Sequence, residues 1–197
     1  MRLLQLYEVS LKRRPKTTNA IMTGALFGLG DVSAQFLFPS SKIDKSYDYK
    51  RTARAVIYGS LIFSFIGDKW YKVLNNKIYM RNKPQYHWSN MFLRVAVDQL
   101  AFAPLGLPFY FTCMSIMEGR SFDAAKMKIR EQWWPTLLTN WAVWPVFQAI
   151  NFSVVPLQHR LLAVNLVAIF WNTYLSYKNS KVTESEWVPV HYPPVVE

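Results

Sequence analysis

Cysteine is almost absent from this chain, and the single residue, Cys113, excludes an intrachain disulfide. It lies in the apolar stretch 109–117, where a buried, inert thiol is the default reading and a redox sensor the alternative. The 3 histidines, His87, His159 and His191, are scattered and leave no metal-ligand spacing. No nucleophile elbow, phosphate loop, HExxH or cysteine pair occurs, and dispersed Ser, His and Asp make no triad. Gly28-Leu29-Gly30 lacks the preceding strand and the third glycine of a dinucleotide loop. Neither an enzyme nor a cofactor is expected. Acidic residues are also scarce, 12 against 23 Lys and Arg, for a net charge of +11. Such a surface attracts nucleic acid or anionic lipid head groups. The basic residues sit at the ends of apolar segments, as snorkelling anchors do, and no nucleic-acid reader is visible. The lipid bilayer is therefore the expected partner, with no direct contact to nucleic acid. No secretory signal peptide is recognisable.

Apolar and aromatic residues make up 51% and 16% of the chain, with 8 Trp, which argues against disorder. A mean hydropathy of only +0.02 conceals a segregation, because most charges fall in short stretches between long apolar runs. A bilayer core of about 30 Å needs roughly 20 apolar residues in a helix. Segments 17–38, 52–74, 90–117, 132–155 and 157–177 approach that requirement. The first stops at Pro39, the third at Glu118-Gly119, where a glycine cap is expected, and the last two are separated by Pro156. The predicted fold is all-α: a polytopic transmembrane helix bundle with about four spans plus an N-terminal interfacial helix. Residues 1–16 form a basic amphipathic segment, 17–178 the bundle, and 179–197 an exposed tail. The Lys and Arg counts of alternate loops balance and set no orientation.

Polar residues inside apolar helices are the functional candidates, because they are costly at hydrocarbon depth unless they face a bundle interior or a watery cavity. Asp31 and Gln35 are four residues apart on one helical face, Asp68 ends the second run, and Asp98 and Gln99 lie within the third. Arg94, one turn before Asp98, offers a structural pairing as the alternative to a functional role. In the fourth run Trp141, Trp144, Gln148 and Asn151 fall along one stripe, which either lines a cavity or forms an interhelical ladder. Pro145 within it predicts a kink. Gly24 and Gly28 form a GxxxG pair suited to close helix contact.

A long spaced pattern then points to a family. Trp141-x-x-Trp144-Pro145-x-x-Gln148-x-x-Asn151-Phe152-x-x-Val155-Pro156-x-x-x-Arg160 continues to Trp171-x-x-Tyr174-Leu175-Ser176, within a block spanning 133–176. Ahead of it stand Tyr7, Leu11, Pro15, Thr23-Gly24, Gly30-Asp31, Gln35, Asp48, Arg51-Thr52, Arg54, Gly59, Trp70-Tyr71, Leu74, Asp98-Gln99 and Pro104. On these residues the chain resembles the Mpv-seventeen family, which includes the twenty-two-kilodalton peroxisomal membrane protein. It is similar in particular to the family's fungal stress-inducible mitochondrial inner-membrane branch. One departure is clear: Ser64-Phe65 and Asp68 stand where the family commonly has Gly-Pro and then His, so no role of that histidine transfers.

The resemblance implies a four-span protein of an organellar membrane, mitochondrial inner membrane or, alternatively, peroxisomal. It also implies passage of small solutes and links to mitochondrial homeostasis, stress response and mitochondrial DNA maintenance. The leading expectation is a channel for small, anionic metabolites, with Asp31, Asp98, Gln99, Gln148 and Asn151 toward its interior, acting alone, as a homo-oligomer or in a larger membrane complex. The alternative is a structural membrane adaptor or assembly protein without transport activity.

Overall fold

The computed structural model describes residues 9–10, 13–39, 46–85, 87–154 and 160–186, with the backbone alone for 151–153, 160–162 and 182–186. Every regular element among them is helical. Helix α1 spans Pro15–Leu37. Helix α2, Tyr49–Ile57, passes through a π-helical turn, Tyr58–Phe63, into α3, Ser64–Lys77. Helix α4, Trp88–Val97, likewise passes through a π-helical turn, Asp98–Phe102, into α5, Ala103–Met117. The long helices α6, Phe122–Ser153, and α7, Arg160–Glu186, complete the fold.

Local chemistry sets these boundaries. Pro15 stands at the start of α1, where its missing N–H costs nothing, and Pro39 follows its end. Asp48, His87 and Ser121 each accept a hydrogen bond from a first-turn N–H of the helix that follows, α2, α4 and α6 respectively. Between α5 and α6, Gly119 adopts φ +74°, a conformation that disfavours any side chain. The chain reverses there while Arg120 N–H reaches back to the Ser115 carbonyl at 3.0 Å.

Among the described residues two stretches are long and apolar enough to cross a bilayer, Pro15–Leu37 with 23 residues and the continuous rod Trp88–Met117 with 30. Helices α6 and α7 are also long, but their apolar residues alternate with Asn, Gln, Thr, Trp and Tyr. Outward-facing apolar side chains recur on several rods: Phe36 is 76% exposed, Leu105 74% and Phe170 75%. A surface of that kind suits hydrocarbon rather than water.

Helix α1 packs chiefly on α7, α2 and the first π turn, while α5 packs on α6. Glycines permit the closest approaches. A Cβ on Gly24 would sit 1.9 Å from Ser60 Oγ, and one on Gly28 would meet Val56 Cγ2 at 2.7 Å. At Gly30 the obstacles are the Asn172 Cβ and the main chain beside it, Asn172 C at 2.8 Å and Thr173 N at 2.9 Å. The buried core gathers Phe27, Tyr58, Leu107, Tyr110, Phe111, Met114, Leu137 and Leu175, with Tyr58 edge-on to both Phe27 and Tyr110. Pro108 lies inside α5 and cannot donate to the Pro104 carbonyl one turn back. That carbonyl instead accepts Trp133 Nε1–H from α6 at 3.0 Å.

Two expectations require revision. Helix α6 begins about ten residues before the predicted segment 132–155, because Ser121 caps it immediately after the Gly119 turn. Pro135 and Pro145 both lie inside it, as in the predicted segment. The tail predicted to be exposed from 179 onward is helical as far as Glu186, and Asn179 is only 3% exposed because it bonds across to the start of α6. Residues 1–8, Pro156 and 187–197 lie outside the described residues, as do the side chains of Asn151 and Arg160.

Candidate functional site

Asp31 is the hub of the buried polar chemistry, at 1% exposure on α1. Its Oδ1 accepts Arg51 Nε–H from α2 at 2.7 Å and the Ser176 hydroxyl from α7. Its Oδ2 accepts from the Thr52 hydroxyl at 2.6 Å and from Gln35 Nε2 at 2.8 Å. Arg51 Nη2 extends the junction by donating to Ser176 Oγ at 2.8 Å and to the Ser176 carbonyl at 3.2 Å. Gln35 Oε1 accepts Asp48 N–H at 2.8 Å, which anchors the start of α2 to α1. One carboxylate thereby joins α1, α2 and α7, and a buried ion pair of this type holds only while its remaining lone pairs and donors are satisfied.

The next turn of the same helices carries a second cluster. Arg54 follows Arg51 by three residues and Asn179 follows Ser176 by three, so each pair shares a helical face. Asn179 Nδ2 donates to Glu118 Oε1 at 2.7 Å, and Lys128 Nζ donates to Asn179 Oδ1 at 2.9 Å and to Glu118 Oε2 at 3.2 Å. Arg120 Nε lies 3.0 Å from the same Glu118 Oε2. Lys128 is fully buried, ahead of the apolar part of α6. Burial pulls its ammonium below the usual lysine value, Glu118 opposes that shift, and the nearby Arg120 and Arg54 reinforce it. Arg54 Nη2 is 3.8 Å from Asp48 Oδ2, while its buried Nε has no hydrogen-bond partner. A layer of alternating charge thus crosses the interior where α1, α2, the α5–α6 turn and α7 meet.

A separate junction surrounds the second π turn. Asp98 accepts Trp70 Nε1–H from α3 at 2.7 Å and Gln99 Nε2–H at 3.0 Å. Gln99 Oε1 accepts Asn140 Nδ2–H at 2.6 Å, and the Gln99 carbonyl accepts Trp141 Nε1–H at 2.8 Å. Helices α3 and α6 are therefore both tied to this turn, a local geometry that recurs at functional positions in helices.

Of the residues singled out in the sequence, Asp31 and Gln35 come together in the first cluster and Asp98 and Gln99 in the π-turn junction. Arg94 does not pair with Asp98. Its guanidinium donates to the carbonyls of Ile78, Asn75 and Gln85 and fastens the α3–α4 loop. Asp68 does not face the interior, because it pairs with Lys72 one turn along α3 at 2.6 Å on a partly exposed face. Among the described residues the Trp141 stripe divides between different partners. Trp141 meets Gln99, Trp144 packs edge-on to Trp171, and Gln148 lines a groove of about 70 Å³ with Met91, Phe92, Val95, Pro145 and Ala149. Sequence periodicity gave no signal for Lys128, Glu118 and Asn179, which lie far apart in the chain. A lysine inside an otherwise ordinary charged stretch reveals its burial only through α7.

Comparison with known proteins agrees with the resemblance. Residues 115–176 match the sequence profile of the Mpv17 / PMP22 family. The chain is 89% identical to Protein SYM1 of Saccharomyces cerevisiae and 62% identical to Protein SYM1 of Candida glabrata, both matches covering the whole of each chain. Protein sym-1 of Neurospora crassa is 37% identical over 91% of this chain and 100% of its own length. No solved structure matches. With relatives this similar along their full length, the chain belongs to the Mpv17 / PMP22 family of membrane proteins.

Proposed function

We propose that the chain is a four-span protein of the mitochondrial inner membrane that passes small metabolites, without catalysis, and that the conformation described is a closed one. The observation that carries this reading is the Asp31–Arg51–Ser176 junction, an ion pair buried where three helices meet. Ionisable groups within membrane helices are rare and costly, and by default they mark solute or ion paths. Apolar residues of similar volume would hold the helices at least as well. In the closed state Asp31, Arg51, Gln35 and Ser176 satisfy one another, and opening exchanges those partners for water and solute. The net charge of +11 favours anions at the mouths of such a path. Effects on mitochondrial homeostasis, stress response and mitochondrial DNA maintenance then follow indirectly from the solutes moved.

The test is conductance of the purified, correctly inserted full chain in planar bilayers, alone and as Asp31→Asn. The parent is expected to conduct above the protein-free baseline, and the variant to be open for longer or to change its ion preference. A protein-free baseline from inserted parent would refute solute passage. The second reading is a structural adaptor, favoured by the complete use of both Asp31 oxygens as bonds between helices. On that reading flux stays at baseline in parent and variant alike and Asp31→Asn alters complex size; a loss of stability is expected on either reading and does not decide between them.

A further inference from the structure

The groove between α4 and α6 and the loop beside it have complementary characters. The groove is apolar along Met91, Phe92, Val95, Pro145 and Ala149, and its volume of about 70 Å³ admits a stretch of a few methylenes rather than a hydrated solute. Trp88, 62% exposed at the first turn of α4, stands edge-on to Phe92 and continues the apolar wall toward the helix end. Trp at such a position sits at the head-group level of a bilayer. Beyond it, residues 77–85 carry Lys77, Arg81 and Lys83, all exposed, and contain no carboxylate. The loop is held against α4: Asn90 Oδ1 accepts Met80 N–H at 2.6 Å, Asn90 Nδ2 donates to the Pro84 carbonyl at 2.9 Å, and Arg94 donates to Ile78 and Gln85. The loop that carries these cations is therefore fastened to the first two turns of α4, the same turns whose Met91, Phe92 and Val95 line the groove.

We propose that this α4–α6 groove and the 77–85 loop form a binding site for one anionic membrane phospholipid. An acyl chain lies along Phe92 and Ala149, and the head-group phosphate rests on Arg81 and Lys83. The occupant is a lipid because the charge and the apolar slot follow one another along a helix that is apolar enough to span a bilayer. The site requires only that the Trp88–Met117 rod crosses a membrane and is independent of solute passage. Failure of one inference therefore leaves the other intact.

The experiment offers the purified full chain, in detergent, an equimolar mixture of dioleoyl phosphatidylglycerol and dioleoyl phosphatidylcholine and counts retained lipids by native mass spectrometry. A surface Lys or Arg contributes about fivefold to affinity for an anionic lipid, so two give roughly a 25-fold preference for phosphatidylglycerol. Arg81→Ser with Lys83→Ser is expected to abolish the preference while leaving the exposed loop folded. Ala149→Phe, or Val95→Phe if the first variant loses its helical circular dichroism, is expected to reduce retention of both lipids. Equal retention of the two lipids by the parent, or an unchanged preference in the Arg81→Ser, Lys83→Ser variant, would overturn the proposal. So would undiminished retention in a folded groove-filling variant.

Discussion

Replacing Asp31 by Asn preserves its shape and removes only the charge and two acceptor sites, so it isolates what the carboxylate does. In the parent both oxygens accept, from Arg51, Ser176, Thr52 and Gln35, and the residue is 1% exposed. The Asn amide would point a donor at groups that are themselves donors and leave Arg51, 7% exposed, without its counter-charge. Breaking one side of a buried ion pair costs about 3–5 kcal/mol. Removing both sides, as Asp31→Leu with Arg51→Met, is expected to return stability to within about 1–2 kcal/mol of the parent, because apolar replacements of buried pairs are often neutral. With each single change costing about 3 kcal/mol or more, the coupling between the two positions should therefore be about 4 kcal/mol or more. Unfolding in mixed micelles titrated with dodecyl sulfate, followed by far-ultraviolet circular dichroism, measures each variant. A loss below about 1 kcal/mol for Asp31→Asn, or a double variant whose loss is the sum of the two single ones, would refute this account of the junction.

Gly30→Ala is expected to destabilise by about 1–3 kcal/mol, since its Cβ meets the main chain of Asn172 and Thr173 and no neighbouring truncation can relieve it. Gly24→Ala meets the Ser60 hydroxyl, so Ser60→Ala should recover part of its loss in the same titration. Gly67→Ala, whose nearest neighbour is Phe63 at 3.9 Å, serves as the control and should be neutral or gain about 0.4–1 kcal/mol. Trp141→Phe removes the donor to the Gln99 carbonyl and should cost about 1–3 kcal/mol, visible as a lower thermal midpoint. Lys128 has a folded-state pKa below the ordinary 10.5, so its contribution to stability is present above 10.5 and lost as pH falls through the folded value. The thermal midpoint of the parent minus that of Lys128→Met should therefore increase as pH rises toward 10.5, and a flat or falling difference would contradict the burial of that ammonium.

The helical class, the apolar rods and their terminators could be read from the sequence because they depend on local chemistry. Pro15 and Pro39 bracket α1, Gly119 reverses the chain after α5, and the spacing of Asp31 and Gln35 places both on one face. The family was legible too, since the Trp141 to Ser176 pattern is long and specific, and the comparison over 115–176 agrees. Partner choice was not legible. Arg94 stands one turn from Asp98 in the chain, yet free carbonyls of the α3–α4 loop claim its guanidinium while Trp70 and Gln99 claim the carboxylate. Helical periodicity states which residues share a face and is silent about what that face meets. Asn179 seemed to begin a tail until α6 placed Lys128 against it. The sequence by itself determined that polar residues would lie inside apolar helices. Only the tertiary structure decided that Asp31, Arg51 and Ser176 form one junction, because hydrogen bonds of 3 Å reach depend on how separate helices cross.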